Sequence, residues 1–298
     1  MPSPNLRLLA IETSTDTVSV ALGSSGLGRG GLDASGAPTW QHTGPGAAQA
    51  SLTLLPVIGS LLAQAGWPLA ELDALVFARG PGSFTGLRTA CAVVQGLAYG
   101  TRSTRWPDGL PVLAVDTLAA LAEEARFLQA QAGLPAPQRI AALLDARMGE
   151  MYVAAYCCTD GALVEQQPPR LCAPQYLVGW WRSAWSDDAA LGEDVNRATS
   201  RDGTRDLLAG NVFEAYGAQF TDLPGRRQHA LPTARALLRL APAALSAGAA
   251  VSAHQALPLY VRDKVAQTTA EREQLRQQQL ARQVTPVPAP VPVAPLDM

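Results

Sequence analysis

Apolar positions along the chain fall into short runs broken by small polar turns. A mainly apolar run from Leu6 to Ile11 reads as a buried strand, closed by Glu12 and a polar turn from Thr13 to Asp16. Val18, Val20 and Leu22 then alternate with Ser19 and Ala21, the period of a second strand. A third, weaker strand is expected near Leu27 to Leu32, where Gly26, Gly28, Gly30 and Gly31 dilute the signal. Residues 34–46 read as loop.

A helix is expected from Ser51 to Gln64, with Gly66 and Pro68 as stop signals and a kink at Pro56. Leu72 to Ala78 reads as a strand. Ser83 can cap a second long helix reaching Tyr99. Val112 to Val115 reads as a strand and Thr117 to Gln131 as a helix.

The pattern then restarts. Ile140 to Leu144 and Met151 to Cys157 predict a hairpin joined through Asp145 to Glu150, with a further strand near Ala162 to Glu165. Trp180, Trp181 and Trp185 follow in a Pro- and Trp-rich stretch and read as packing residues. Ser186 to Arg205 is polar and reads as loop. Leu207 to Ala209 predicts a strand ending at Gly210-Asn211, and Thr233 to Ala244 a helix. Strands followed by mixed strands and helices, twice over, describe an α/β protein of two related halves. Beyond Val265 the character changes. Pro286, Pro288, Pro290, Pro292 and Pro295 mark a tail to be set apart from the fold.

Composition narrows the function classes. The formal net charge is -2, and the one pair of adjacent cations noted, Arg226-Arg227, reads as solvated. A stand-alone nucleic-acid binder normally carries a basic stripe, so any contact with nucleic acid is expected to be indirect. No apolar stretch reaches membrane-spanning length and no export signal opens the chain, which makes the cytoplasm the expected location. Cys91, Cys157, Cys158 and Cys172 lack paired metal-ligand spacing and read as small core residues, with Cys157 and Cys158 on opposite faces of a strand.

Charged residues make up only 16% of the chain, against about 25% in an average soluble domain. The deficit is concentrated. Ala34 to Ala70 and Thr89 to Thr101 contain no Asp, Glu, Lys or Arg, and these segments hold the two long helices. A helix on one face of a sheet should show a charged outer stripe. Either the rest of the chain covers both helices or a second protein does. Leu52, Leu55, Gly59 and Leu62 on the first helix, and Gly86, Ala90, Val94 and Leu97 on the second, are the candidate interface residues. Gly86, Ala90 and Val94 stand four apart and form a ridge of small residues suited to close packing.

The segment Leu72 to Arg79 runs into Gly80-Pro81-Gly82-Ser83-Phe84-Thr85-Gly86-Leu87-Arg88, a strand, a tight turn and a capped helix. The free amides of such a helix start suit an anion; equally, the glycines suit a turn that packs close to the sheet. It is not a P-loop, because no Gly-Lys-Ser/Thr follows. As a string this segment resembles the signature of the TsaB (YeaZ-like) family. Ala10 to Ser14, Pro111 to Leu118, Leu144 to Tyr152 and Leu257 to Ala266 resemble further family blocks in the same order.

The resemblance implies a two-lobed actin-like fold (ASKHA, ribonuclease H-like), with lobes over residues 1–110 and 111–266; the Pro-rich composition adds the expectation of a disordered tail over 267–298. It implies a role in making threonylcarbamoyladenosine beside the tRNA anticodon, as the dimerisation partner of a catalytic paralogue, TsaD, with an ATPase, TsaE, assisting. The chain alone may be expected to pair with itself. The paralogue's metal-binding His pair falls near Thr117 and Leu121 here, and Leu121 cannot bind a metal, so neither metal nor other cofactor is expected. Where family members often carry a His before the first long helix, this chain has Ala50. Glu12, Thr13, Ser14 and Asp145 occupy the hairpins around which actin-like ATPases bind nucleotide. Turn formation explains the same residues equally well. The competing readings are an actin-like ATP-dependent sugar or acid kinase and, less favoured, a metalloprotease.

Overall fold

A computed structural model describes residues 6–24, 40–46, 49–185 and 205–262, the side chains of 218 and 219 excepted. The expected strand near Leu27 to Leu32, the loop over 186–204 and the tail from 263 lie outside the described residues.

The first half contains β1 (Arg7–Glu12), β2 (Thr17–Ser24), β3 (Trp40–Pro45), α1 (Ala50–Ala65), β4 (Ala74–Gly80), α2 (Phe84–Gly100), β5 (Val112–Asp116) and α3 (Thr117–Gln131). The second contains β6 (Arg139–Asp145), β7 (Met151–Thr159), β8 (Ala162–Cys172), α4 (Leu177–Ala184), β9 (Asp206–Gly210), the short α5 (Phe213–Tyr216), β10 (Arg226–His229) and α6 (Ala234–Ser246). The sheets run β3-β2-β1-β4-β5 and β10-β9-β6-β7-β8. Written from each first strand, both have the same order: an antiparallel three-strand meander, then two strands parallel to the first. This repeated topology is the duplicated ribonuclease H-like, actin-like fold.

Strand alternation sends successive side chains to opposite faces. In the first sheet Leu9, Ile11, Leu75 and Phe77 meet Leu54, Ile58 and Leu61 of α1 and Ala90, Val94 and Ala98 of α2. Leu8, Ala10, Ala74 and Val76 meet Ala120 of α3 and Ala234, Leu237, Leu238 and Ala241 of α6 on the other face. In the second sheet Ala141, Leu143 and Val153 pack on Trp180, Trp181 and Trp185, while Ile140, Ala142 and Leu144 pack on Leu118, Leu121 and Ala125 of α3. α3 therefore supplies core to both sheets. A buried ion network ties it to α6: Arg239 bonds Glu123 at 2.9 Å and pairs with Glu124, above the Phe127 ring.

Several sequence expectations need correction. The loop read over 34–46 contains β3, an edge strand whose exposed polar residues hide any apolar alternation. β8 runs on to Cys172 through Pro168 and Pro169, which an edge strand tolerates because its outer amides have no ladder partner. The Arg226-Arg227 pair lies on edge strand β10, where Arg226 bonds the Pro135 carbonyl at 2.6 Å and Arg227 that of Phe220 at 2.5 Å. β5 lies beyond the boundary expected at residue 110, yet it pairs with β4, and α6 from the second half also packs on the first sheet. As expected, α1 runs through Pro56 as one helix. Cys157 and Cys158 do face opposite sides, and all four cysteines are free thiols.

Candidate functional site

The parallel strands β1, β4 and β5 end together, which brings Glu12, Gly80 and the Asp116–Thr117 junction to one edge of the first sheet. There the β1–β2 turn packs directly on the start of α2. The Ser83 amide bonds the Ser14 carbonyl at 2.6 Å, and the Thr13 hydroxyl donates to the Gly86 carbonyl at 2.8 Å. Ser83 caps α2 through the Gly86 amide at 3.4 Å. The glycines of the motif are needed for this contact: a Cβ at residue 82 would lie 2.4 Å from the Ser14 carbonyl oxygen, and one at residue 86 only 1.8 Å from that of Thr13. Of the two readings of this loop, these contacts supply the close-packing one.

The closing motif completes the assembly. Leu259 donates its amide to the Arg79 carbonyl at 2.6 Å, and its own carbonyl oxygen would stand 2.5 Å from a Cβ at residue 80. The Arg88 guanidinium lies 3.7 Å over the Phe84 ring and its Nε bonds the Tyr260 hydroxyl at 3.1 Å. Phe84 and Tyr260 stack with centroids 4.8 Å apart. Arg79 is paired with Asp116, whose hydrogen bond raises the arginine further above its ordinary value. Pro81 is buried and Thr85 exposed.

Glu12, Thr13 and Ser14 are all buried. The Glu12 carboxylate accepts the Ser14 amide at 2.7 Å, and its second oxygen has no hydrogen-bond partner among the described residues. Burial pushes Glu12 up to about 7, against the pull of hydrogen bonds from Ser14 and Thr13. Asp145 holds the equivalent place at the end of β6. Its carboxylate accepts the Arg147 amide at 3.0 Å, again two residues on, and its amide donates to the Asn211 side chain at 2.9 Å. The Tyr216 hydroxyl also reaches Asp145, at 3.2 Å. Each acid thus ties down its own hairpin turn. The two turns meet through an exposed ion pair, Arg147 to Asp16 at 2.7 Å. Thr117 and Leu121 are fully buried, one turn apart on α3.

The long helices divide the interface candidates. Gly86, Ala90 and Val94 face inward: Gly86 against the β1–β2 turn, Ala90 and Val94 into the core. The expected docking ridge is therefore a packing ridge of this chain, because the close approach it permits is used by the sheet. Leu62 and Leu97 are half-buried. Leu52 and Leu55 point outward, 77% and 53% exposed, and Gly59 stands in open space.

With Pro56 and Ala63, the exposed residues Leu52, Leu55 and Gly59 form a continuous uncharged stripe on α1. On α2 the exposed stripe is Thr85, Arg88, Ala92, Gly96 and Tyr99, whose sole charge is Arg88 at one end. Tyr99, 63% exposed, is not among the interface candidates that the sequence offers. Its spacing of seven from Ala92 and three from Gly96 was the available signal. The described residues leave both stripes uncovered. No helix among the described residues is long and apolar enough to cross a membrane.

Three comparisons agree with this architecture. A family model described as "TsaD: tRNA N6-adenosine threonylcarbamoyltransferase" matches residues 46–270, more than half of the chain. The chain is 33% identical over 265 residues to the tRNA threonylcarbamoyladenosine biosynthesis protein TsaB of Haemophilus influenzae, spanning 88% of this chain and 95% of that one. It is 28% identical over 275 residues to the Escherichia coli protein of the same name, spanning 88% and 96%. The solved structure of YeaZ from Pseudomonas aeruginosa superposes with a TM-score of 0.64 at 33% identity, covering 86% of this chain and 99% of that one. The chain belongs to the TsaB (YeaZ-like) family of tRNA threonylcarbamoyladenosine biosynthesis proteins.

Proposed function

We propose that this chain acts in the cytoplasm as the non-catalytic partner subunit of the machinery that places threonylcarbamoyl on the adenosine beside the tRNA anticodon. It dimerises with a TsaD-like catalytic paralogue, works with a TsaE-like ATPase, and meets tRNA only through the complex. The observation that carries this reading is the outward face of α1 and α2, uncharged except for Arg88 at one end, with Leu52, Leu55 and Tyr99 exposed beside bare glycines. Exposed apolar patches of this kind mark association surfaces. Aromatic residues are typical interface anchors, and exposed glycines let a partner helix come close.

A supporting role rather than catalysis is favoured by two features. Leu121 offers no metal ligand, and the turn after Glu12 seats α2 through the Thr13 hydroxyl and the Ser14 carbonyl. Without the paralogue, the same uncharged face can pair with its own copy about a two-fold axis. The test is co-purification: a tagged form of this chain should bring down the TsaD-like protein of the same cell as a stoichiometric complex. The purified chain alone, given tRNA and a threonylcarbamoyl donor, should leave the tRNA unmodified. Robust modification by the chain alone, or no complex with the paralogue, would overturn the reading.

A further inference from the structure

We propose that Glu12 is a proton-operated latch: in its neutral form it lets the β1–β2 turn close on the start of α2, and loss of its proton loosens that seat and the docking face α2 carries. The second half of this inference rests on the proposed partnership; the first does not. Glu12 is completely buried, with one carboxyl oxygen on the Ser14 amide and the other without a partner among the described residues. The residues it holds are those that seat α2, through Ser14 to Ser83 and Thr13 to Gly86. The fit leaves no slack, since residues 82 and 86 have no room even for a Cβ.

Among the described residues, no cation is placed to stabilise the anion. In its own turn Asp16 is turned outward to Arg147 of the β6–β7 turn. On β4 Arg79 is held by Asp116 of β5, and on α2 Arg88 is held by Phe84 and Tyr260. β2 carries no charge, and on α6 Arg239 is paired with Glu123 and Glu124 while Arg235 lies over the Phe127 ring. An isolated buried carboxylate lacks the hydration it has in the unfolded chain, so its value rises, here to about 7 from an ordinary 4.5. The folded chain then holds a proton that the unfolded chain has released. Stability falls as pH rises from about 4.5 to about 7 and levels off above that. Relief comes from opening the turn to water, at the expense of the Ser83 and Gly86 contacts.

The experiment compares the full chain with Glu12→Gln, a neutral side chain of the same shape. The 13C spectrum of the glutamate carboxyls should show one resonance titrating near neutral pH, missing in the variant. The melting temperature of the wild type should fall between pH 5.5 and 8, while that of the variant stays nearly level. Affinity for the TsaD-like partner should fall several-fold from pH 6 to pH 8 for the wild type and change far less for the variant. A Glu12 resonance titrating in the ordinary carboxylate range, or equal pH slopes for the two proteins, would overturn the latch. If neither protein binds the paralogue at any pH, the partnership fails, and the spectrum and melting curves still decide the latch. If the variant does not fold, the wild-type titration decides it alone.

Discussion

The carbonyl oxygen of Thr13 and the α-carbon of Gly86 stand so close that a Cβ on residue 86 would lie 1.8 Å from that oxygen. This contact lets the β1–β2 turn rest on the backbone of α2. Both partners are backbone atoms, so no side chain can swing away to relieve a clash. Gly86→Ala should therefore displace the start of α2 and cost about 3 kcal/mol or more, the upper range for overpacking a well-packed site. Chemical denaturation measures it; a loss below about 0.5 kcal/mol would mean that the turn yields easily.

Val94 is fully buried, facing the first sheet from α2. A carboxylate there would be buried without a partner, at a penalty of several kcal/mol. Val94→Asp should lose its native circular dichroism signal and cooperative melting. A folded Val94→Asp protein would place this residue outside the core.

Arg239 joins α3 to α6 through Glu123 and Glu124, and its removal leaves Glu124 without that partner and buried Glu123 held by Arg126 alone, which sets the cost at the low end of the range for a broken buried pair. Breaking a buried ion pair from one side typically costs about 3–5 kcal/mol. Arg239→Ala should fall in that range despite lying far from the α1–α2 face. It should leave partner affinity unchanged at temperatures where the variant is folded. Loss of affinity in a folded Arg239→Ala protein would instead tie the α3–α6 network to docking.

The family model ends at residue 270, and the Pro-rich stretch lies beyond it. Deleting residues 271–298 should leave the melting temperature and partner binding nearly unchanged. A drop of several degrees would reveal a structural role for this segment.

Much of this architecture was legible because the buried strands advertise themselves. β1, β2, β4, β6 and β7 are apolar on their core faces and the sequence pattern shows it. The edge strands β3 and β10 were not legible. Trp40 to Pro45 and Arg226 to His229 owe their strand state to one paired neighbour rather than to burial of their own side chains. The charge deficit pointed to the two helices that keep exposed, nearly uncharged stripes, but not to the faces that carry them. A helix that is apolar nearly all round has no polar stripe to mark its orientation. Ala90 and Val94 were thus indistinguishable by pattern from Leu52 and Leu55, until α2 was seen lying on the sheet with its small residues inward. The burial of Glu12 was hidden for another reason: an acid beside a Thr-Ser turn reads as turn-forming or ligand-binding, and only the fold shows it fully enclosed.

Leu55 offers the most direct measurement. It points outward from α1, 53% exposed, at the centre of the uncharged stripe between Leu52 and Gly59. Leu55→Asp should change stability by no more than about 1 kcal/mol, because the new charge is solvated in the free chain. In a complex the same carboxylate would be buried without a partner. Mixed with the purified TsaD-like paralogue on a sizing column, the wild-type chain should co-elute with it. Leu55→Asp should elute separately while keeping a wild-type circular dichroism spectrum. A folded Leu55→Asp protein that still co-elutes with undiminished affinity would contradict the account and move the docking surface away from α1.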